Sequence, residues 1–175
     1  MPKISITLYD HTDDSATLMP LISKKLEAIM VDLLTTDAGA GTVTMKTVTS
    51  SPKDADQDLV LHFVKNIDNS YIAAKMPGNP IKPEDGGVTR PQGGKTGSEI
   101  YKFPNDKEGK PQGQFKASGY AKIGAHELMH NATGLSNKDL HNQGGIGASP
   151  PSPTVNDDNR KAFQAALGKL PKQLL

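Results

Sequence analysis

LVLHFV, residues 59–64, is apolar at all positions but His62 and lies between segments rich in turn-forming residues. A short run that is apolar on both faces reads as a central strand, covered on both sides of its sheet. Upstream, Ile4, Ile6 and Leu8 alternate with Ser5, Thr7 and Tyr9, the pattern of a strand with one buried face. Val43 to Val48 reads as a further strand. Between these two, Leu18, Leu21, Ile22, Leu26, Ile29, Met30, Leu33 and Leu34 recur at spacings of three and four. They draw a helical stripe over about Ala16 to Leu34. DHTDDS, residues 10–15, offers turn and capping residues before it, Pro20 is tolerable in its first turn, and Ala38-Gly39-Ala40-Gly41 ends the unit. Strand, helix, strand, strand predicts an α/β or α+β sheet packed against helices.

Residues 77–113 differ from the rest, with Gly and Pro at 14 of 37 positions. The composition predicts mostly loop, with a flexible rim from Pro77 to Gly97 that a protease nicks first. GSEIYKF, residues 97–103, is one island of edge-strand character within it. Ala117 to Ala132 is predicted as a helix carrying Tyr120, Ile123, Leu128 and Met129, with Gly134 to stop it. GGIGASPPSP, residues 144–153, is an irregular connector. Asn156-Asp157 caps a last helix with Phe163, Ala166 and Leu167 on its inner face.

The length of 175 residues fits one domain, 1–175, with an ordinary hydrophobic core. Without cysteine there are neither disulfides nor thiolate ligands, so any transition-metal site must use His, Asp or Glu. A net charge of +1 gives no general reason to expect nucleic acid or an acidic membrane as partner. No apolar run reaches the roughly 18 residues of a membrane span. MPKISITLYD lacks the apolar core of a secretory signal. The protein acts where it is made, leaves by another route, or has a leader missing from this sequence, and its location stays unassigned.

The chemistry is concentrated in AHELMH, residues 125–130. His126 and His130 lie one helical turn apart, so both imidazoles project from one face and can chelate one tetrahedral zinc. Glu127 lies beside the first ligand, placed to take the proton of a zinc-acidified water. Chance supplies roughly 0.004 such matches in a chain of this composition, so two surface histidines beside an ordinary glutamate is the weaker reading. A third ligand is needed. No glutamate follows Glu127, and the downstream candidates are His141, Asp139, Asp157 and Asp158. Imidazole suits zinc, which favours His141, with Asp139 as runner-up.

HELMHNATGLSNKDLH, residues 126–141, resembles the extended zinc motif HExxHxxGxxH of the metzincin metallopeptidases. The resemblance implies an α+β fold: a small mixed twisted sheet with an edge strand, one backing helix, an active-site helix and a C-terminal helix. It divides the domain into an upper part, 1–134, and a lower part, 135–175, that carries the third ligand. It implies Zn2+ held by His126, His130 and His141, with Glu127 as the catalytic residue. The implied partner is a protein or peptide substrate paired along Glu99 to Phe103, on a monomer with no nucleic-acid or membrane partner. Two spacings depart from the family: Gly134 comes four residues after the second His instead of three, and His141 eleven after instead of six. No methionine follows Met129 to make the family's methionine turn, so GGIGASPPSP takes that place. No tyrosine follows Tyr120 to assist an oxyanion.

Other residues read more plainly. His62, inside an apolar strand, is expected to be buried with a hydrogen-bond partner, and His11 to be a solvated turn residue. Asp10, Asp13 and Asp14 do not match a twelve-residue calcium loop and are expected to cap the first helix. GGKTG, residues 93–97, lacks phosphate-loop spacing. The competing functional readings are a zinc hydrolase of a non-protein amide or cell-wall peptide, and a non-catalytic metal-binding module. Glu127 separates the last of these, because a structural site needs no acid beside its ligand.

Overall fold

Alternation in β1 (Lys3–Asp10) puts Ile4, Ile6 and Leu8, none more than 3% exposed, on the sheet face that carries the core. The computed structural model of the chain describes residues 1–14, 16–52, 57–78, 81–82 and 86–175. β1 runs parallel to β2 (Thr42–Val48) on one side and to β3 (Leu59–Val64) on the other. Every residue of β3 is buried, as a central strand requires. β5 (Lys95–Tyr101) lies parallel to β3, β4 (Gly87–Gln92) pairs antiparallel with β5, and β6 (Lys172–Gln173) adds in parallel to the start of β5. The order is β2-β1-β3-β5-β4, with β6 joining β5. The architecture is mixed α/β, with a mainly parallel sheet.

The strand expected at the edge, GSEIYKF, instead falls in the interior as β5, between β3 and β4. The edge belongs to β4, inside the segment expected to be mostly loop. Its glycines and prolines punctuate a hairpin, β4 to β5 through Gly93-Gly94, and do not dissolve it. Pro91 is tolerated in β4 because an edge strand leaves one row of backbone groups outside the ladder. The flexible rim expected from Pro77 to Gly97 thus contains a strand and a turn. Its residues 79–80 and 83–85 lie outside the described residues, as does Ser15 of DHTDDS.

α1 (Leu18–Leu34) follows the helical stripe and buries Met19, Ile22, Leu26, Met30, Leu33 and Leu34. Leu21, read as part of that stripe, is 55% exposed. No aspartate side chain caps α1, whose N-cap is Thr17. Asp10 instead accepts the Thr12 amide at 2.8 Å and its hydroxyl at 2.7 Å, the local turn that aspartate favours, and Asp14 pairs with Lys102. α3 (Ala117–Thr133) packs beside α1 on the core face of the sheet, and α5 (Asp157–Ala166) leans on both. α5 starts at a reciprocal Asn156–Asn159 capping box and buries Phe163. Among the described residues no helix is long and apolar enough to cross a membrane.

The opposite face of the sheet carries a row set by register, Tyr9, His62 and Glu99. α2 (Tyr71–Lys75) and the chain around Leu174 cover it. His62 is fully buried. The Leu174 carbonyl accepts from its Nε2–H at 3.0 Å, so its Nδ1 accepts from His11 Nε2–H, also at 3.0 Å. His11 is therefore not a solvated turn residue. It is half-buried, its ring tilted against those of Tyr9 and Tyr71, because the turn after β1 folds back over this aromatic face.

Burial pushes the His62 pKa down from 6.5 to about 4, against the raising effect of the Leu174 carbonyl; the neighbouring His11 lowers it further. The unfolded chain then takes up the proton first as pH falls. The stability tied to neutral His62 is complete above pH 6.5 and is lost as pH drops toward 4. Between pH 7 and pH 5 this residue is expected to remove about 2 kcal/mol. Urea unfolding at the two pH values measures it, and His62→Gln is expected to flatten the slope. An equal slope in the variant would show that His62 does not carry the effect.

Candidate metal centre

α3 ends where Gly134 adopts a left-handed conformation, φ 64°, and its amide bonds the His130 carbonyl at 2.9 Å. The chain then turns back. Ser136 caps a short helix, α4 (Asn137–His141), whose last residue is His141. One nitrogen from each of His126, His130 and His141 lies within 4.8 Å of the others. A tetrahedral ion at imidazole distances needs its nitrogens roughly 3.4 Å apart, so modest ring rotations close the set. Among the described residues this is the group of His, Asp and Glu side chains close enough to share an ion. Asp139 is exposed and faces its own cap, accepting the Ser136 hydroxyl at 2.6 Å. Asp157 pairs with Arg160 at 3.0 Å.

Two backbone carbonyls set the tautomers. The Ile146 carbonyl accepts from His126 Nδ1–H at 3.0 Å, and the Leu135 carbonyl from His130 Nδ1–H at 2.9 Å. Each ring therefore turns an unprotonated Nε2 toward the common point. Burial pushes His126 down to about 4 and lowers His130 as well, more than the carbonyl bonds raise them, so both are neutral at neutral pH. Neutral imidazoles with their second nitrogen held are the donor set that a zinc-like ion takes. The residues fit a metal ion, and nothing in this geometry selects which one.

Ile146 sits in a tight turn, Gly145–Gly147, within the irregular connector. Asn159 of α5, fully buried, accepts the Ile146 amide at 3.1 Å. The connector is thus braced from one side by α5 and braces His126 from the other. Sequence reading missed Ile146, Leu135 and Asn159. The first two act through backbone carbonyls, which leave no trace in residue identity.

Glu127 is 7% exposed at the bottom of a cleft of about 610 Å³. Gly86 to Thr89, Pro104 to Lys107 and Ser149 to Pro151 line it together with the three histidines. Thr89 Oγ1 lies 2.8 Å from Glu127 Oε2. Glu99, expected on the cleft, lies on the other sheet face. Its carboxylate accepts the Ser70 hydroxyl, the Ile72 amide at 2.9 Å and the Tyr101 hydroxyl at 2.7 Å. Alternation along β5 puts Glu99 on that face and Ser98 on the α3 side, and β4, at the edge, lines the cleft in place of the expected strand.

β4 reaches the helix because Gly87 has no side chain. A Cβ there would lie 2.9 Å from Glu127 Cγ, from Ile123 Cγ2 and from the Glu99 carbonyl. Gly87→Ala is expected to cost about 1–3 kcal/mol in stability by overpacking and to shift Glu127. Thermal unfolding checks the first effect and a crystal structure the second. A variant with unchanged stability and an unmoved Glu127 would contradict the close approach.

No protein-family model matches the chain, and no curated protein matches it.

Proposed function

We propose that the chain is a zinc-dependent endopeptidase with Glu127 as general base. The observation that carries this reading is the pairing of a three-histidine group with a carboxylate from the helix that bears two of the histidines, in a cleft flanked by an antiparallel edge strand. A structural zinc site closes with a fourth protein ligand, whereas three converge here among the described residues. The strand order, with β4 antiparallel beside the helix that carries the motif, supports the metzincin-like reading. So does the turn at Gly145–Gly147, which packs under the histidines where that family has its methionine turn. The longer spacing to His141 is taken up by α4.

Zinc bound there supplies Lewis acidity, making water more acidic and polarising a carbonyl. The chain's own residues do the rest. His126 and His130 stay neutral with Nε2 free. β4 pairs on one side with β5, and its cleft side offers backbone groups to an extended peptide by strand addition. Glu127 accepts the proton of the attacking water and passes it to the leaving amine. The test is metal analysis of the purified protein together with cleavage of a mixed peptide library, with and without chelator. One zinc per chain and chelator-sensitive cleavage are expected. Zinc bound with no peptide cleaved would favour the non-catalytic module.

A further inference from the structure

A hydrogen-bonded chain runs through the core from β6 to Glu127, and its donor directions can be assigned from one end. Gln173 Oε1 accepts the Val60 amide at 3.1 Å, and Gln173 Nε2–H donates to the Pro171 carbonyl at 2.8 Å. Those two backbone partners fix which way the Gln173 amide points. Asn131 pairs with it reciprocally. Gln173 Nε2–H donates to Asn131 Oδ1 at 2.9 Å, and Asn131 Nδ2–H to Gln173 Oε1 at 3.0 Å. The second Nδ2 proton of Asn131 therefore donates to Ser98 Oγ, at 2.9 Å.

Ser98, having accepted, must place its own proton elsewhere. Its choices are Thr89 Oγ1 at 2.9 Å and the Glu127 carbonyl at 3.4 Å, and the shorter contact wins. Thr89 then has one proton and two acceptors at 2.8 Å, Glu127 Oε2 and the Glu127 carbonyl. The carbonyl already serves the helix ladder, so the proton goes to Oε2. Ser98, Asn131 and Gln173 are 0%, 2% and 6% exposed, so water does not compete for these bonds.

We propose that this relay, Gln173–Asn131–Ser98–Thr89, is the positioning device for the Glu127 carboxylate. It holds one oxygen, Oε2, against β4. Thr89 is the member that touches Glu127, and the short strand β6 serves to bring Gln173 into the chain. The inference rests on the reading of Glu127 as general base, and extends it to residues far from the motif in sequence.

Thr89→Val keeps the side-chain volume and removes the donor, while Thr89→Ser keeps the donor. With zinc-loaded protein and a cleaved peptide, Thr89→Val is expected to lower kcat about 10- to 100-fold, as a misplacement of about 1 Å does. KM and zinc affinity, read by chelator competition, are expected to stay within about threefold, since Thr89 touches no ligand. Thr89→Ser is expected to restore kcat. In a Glu127→Gln background the Thr89→Val effect is expected to vanish, because Thr89 acts only through that carboxylate. A crystal structure of metal-free Thr89→Val is expected to show the Glu127 carboxylate displaced. The proposal is overturned if the carboxylate keeps its place, if Val and Ser variants turn over alike, or if the loss persists without Glu127. If the wild-type protein cleaves no peptide, the peptidase reading fails by itself, and the carboxylate position alone decides the relay.

Discussion

Glu127→Gln is expected to lower kcat for peptide cleavage by about 10²- to 10⁴-fold, the usual contribution of a positioned general base. The substitution is nearly isosteric, and the amide oxygen can still accept the Thr89 hydroxyl that now lies 2.8 Å from Oε2. The fold is therefore expected to hold. His126 and His130 are oriented by the Ile146 and Leu135 carbonyls and not by Glu127, so zinc content is expected to match the wild-type protein. KM is expected to change little, since the loss is of proton transfer and not of substrate contact. Full zinc occupancy with undiminished cleavage would remove Glu127 from the base role. Loss of zinc along with activity would mean that the carboxylate supports the metal group itself.

The parts of the fold legible in the sequence are those where one period persists for several residues. β3 runs from Leu59 to Val64 as read, because an unbroken apolar run has one reading when turn residues bound it. α1 was legible from spacings of three and four, α3 from Tyr120, Ile123, Leu128 and Met129 with Gly134 to stop it, and the start of α5 from Asn156. The β4–β5 hairpin was not legible as such. β5 showed as strand character in GSEIYKF, but the Gly and Pro content around β4 resembles a loop, and only pairing with β5 and proximity to α3 make a strand of it. α2, α4 and β6 are too short to show a period, being 5, 5 and 2 residues long. The site divides the same way. His126, Glu127 and His130 are a local pattern on one helix. The approach of His141 depends on a left-handed glycine and a capped turn, and Thr89 reaches Glu127 only through sheet topology. Asp10, Asp13 and Asp14 misled because aspartate serves turns and caps equally well, and here the turn took Asp10.

His141→Ala is expected to weaken zinc binding by about 10²- to 10³-fold. A four-ligand zinc site has an apparent affinity of about 10–16 kcal/mol, roughly 3–4 kcal/mol per ligand, and about 1.4 kcal/mol is tenfold. Asp139→Ala makes the contrast. Its carboxylate accepts the Ser136 hydroxyl at 2.6 Å at the start of α4 and lies outside the histidine group. Removing it costs at most a cap-sized effect of about 1 kcal/mol in holding α4, so zinc affinity is expected to fall by no more than about tenfold. His141 is half-buried and its ring centroid lies 5.2 Å from that of His126 and 5.7 Å from that of His130, with no Nδ1 anchor of the kind the other two have among the described residues. It is the ligand that has to settle onto the ion, and α4 is the element that carries it there. Chelator competition on the two variants, followed by a zinc-bound structure, decides the matter. The expected structure has a His141 nitrogen at about 2.0–2.1 Å from zinc. Zinc on an Asp139 oxygen, with His141 turned to solvent, would make the site a two-histidine, one-aspartate centre and remove the main support for a metzincin-like arrangement.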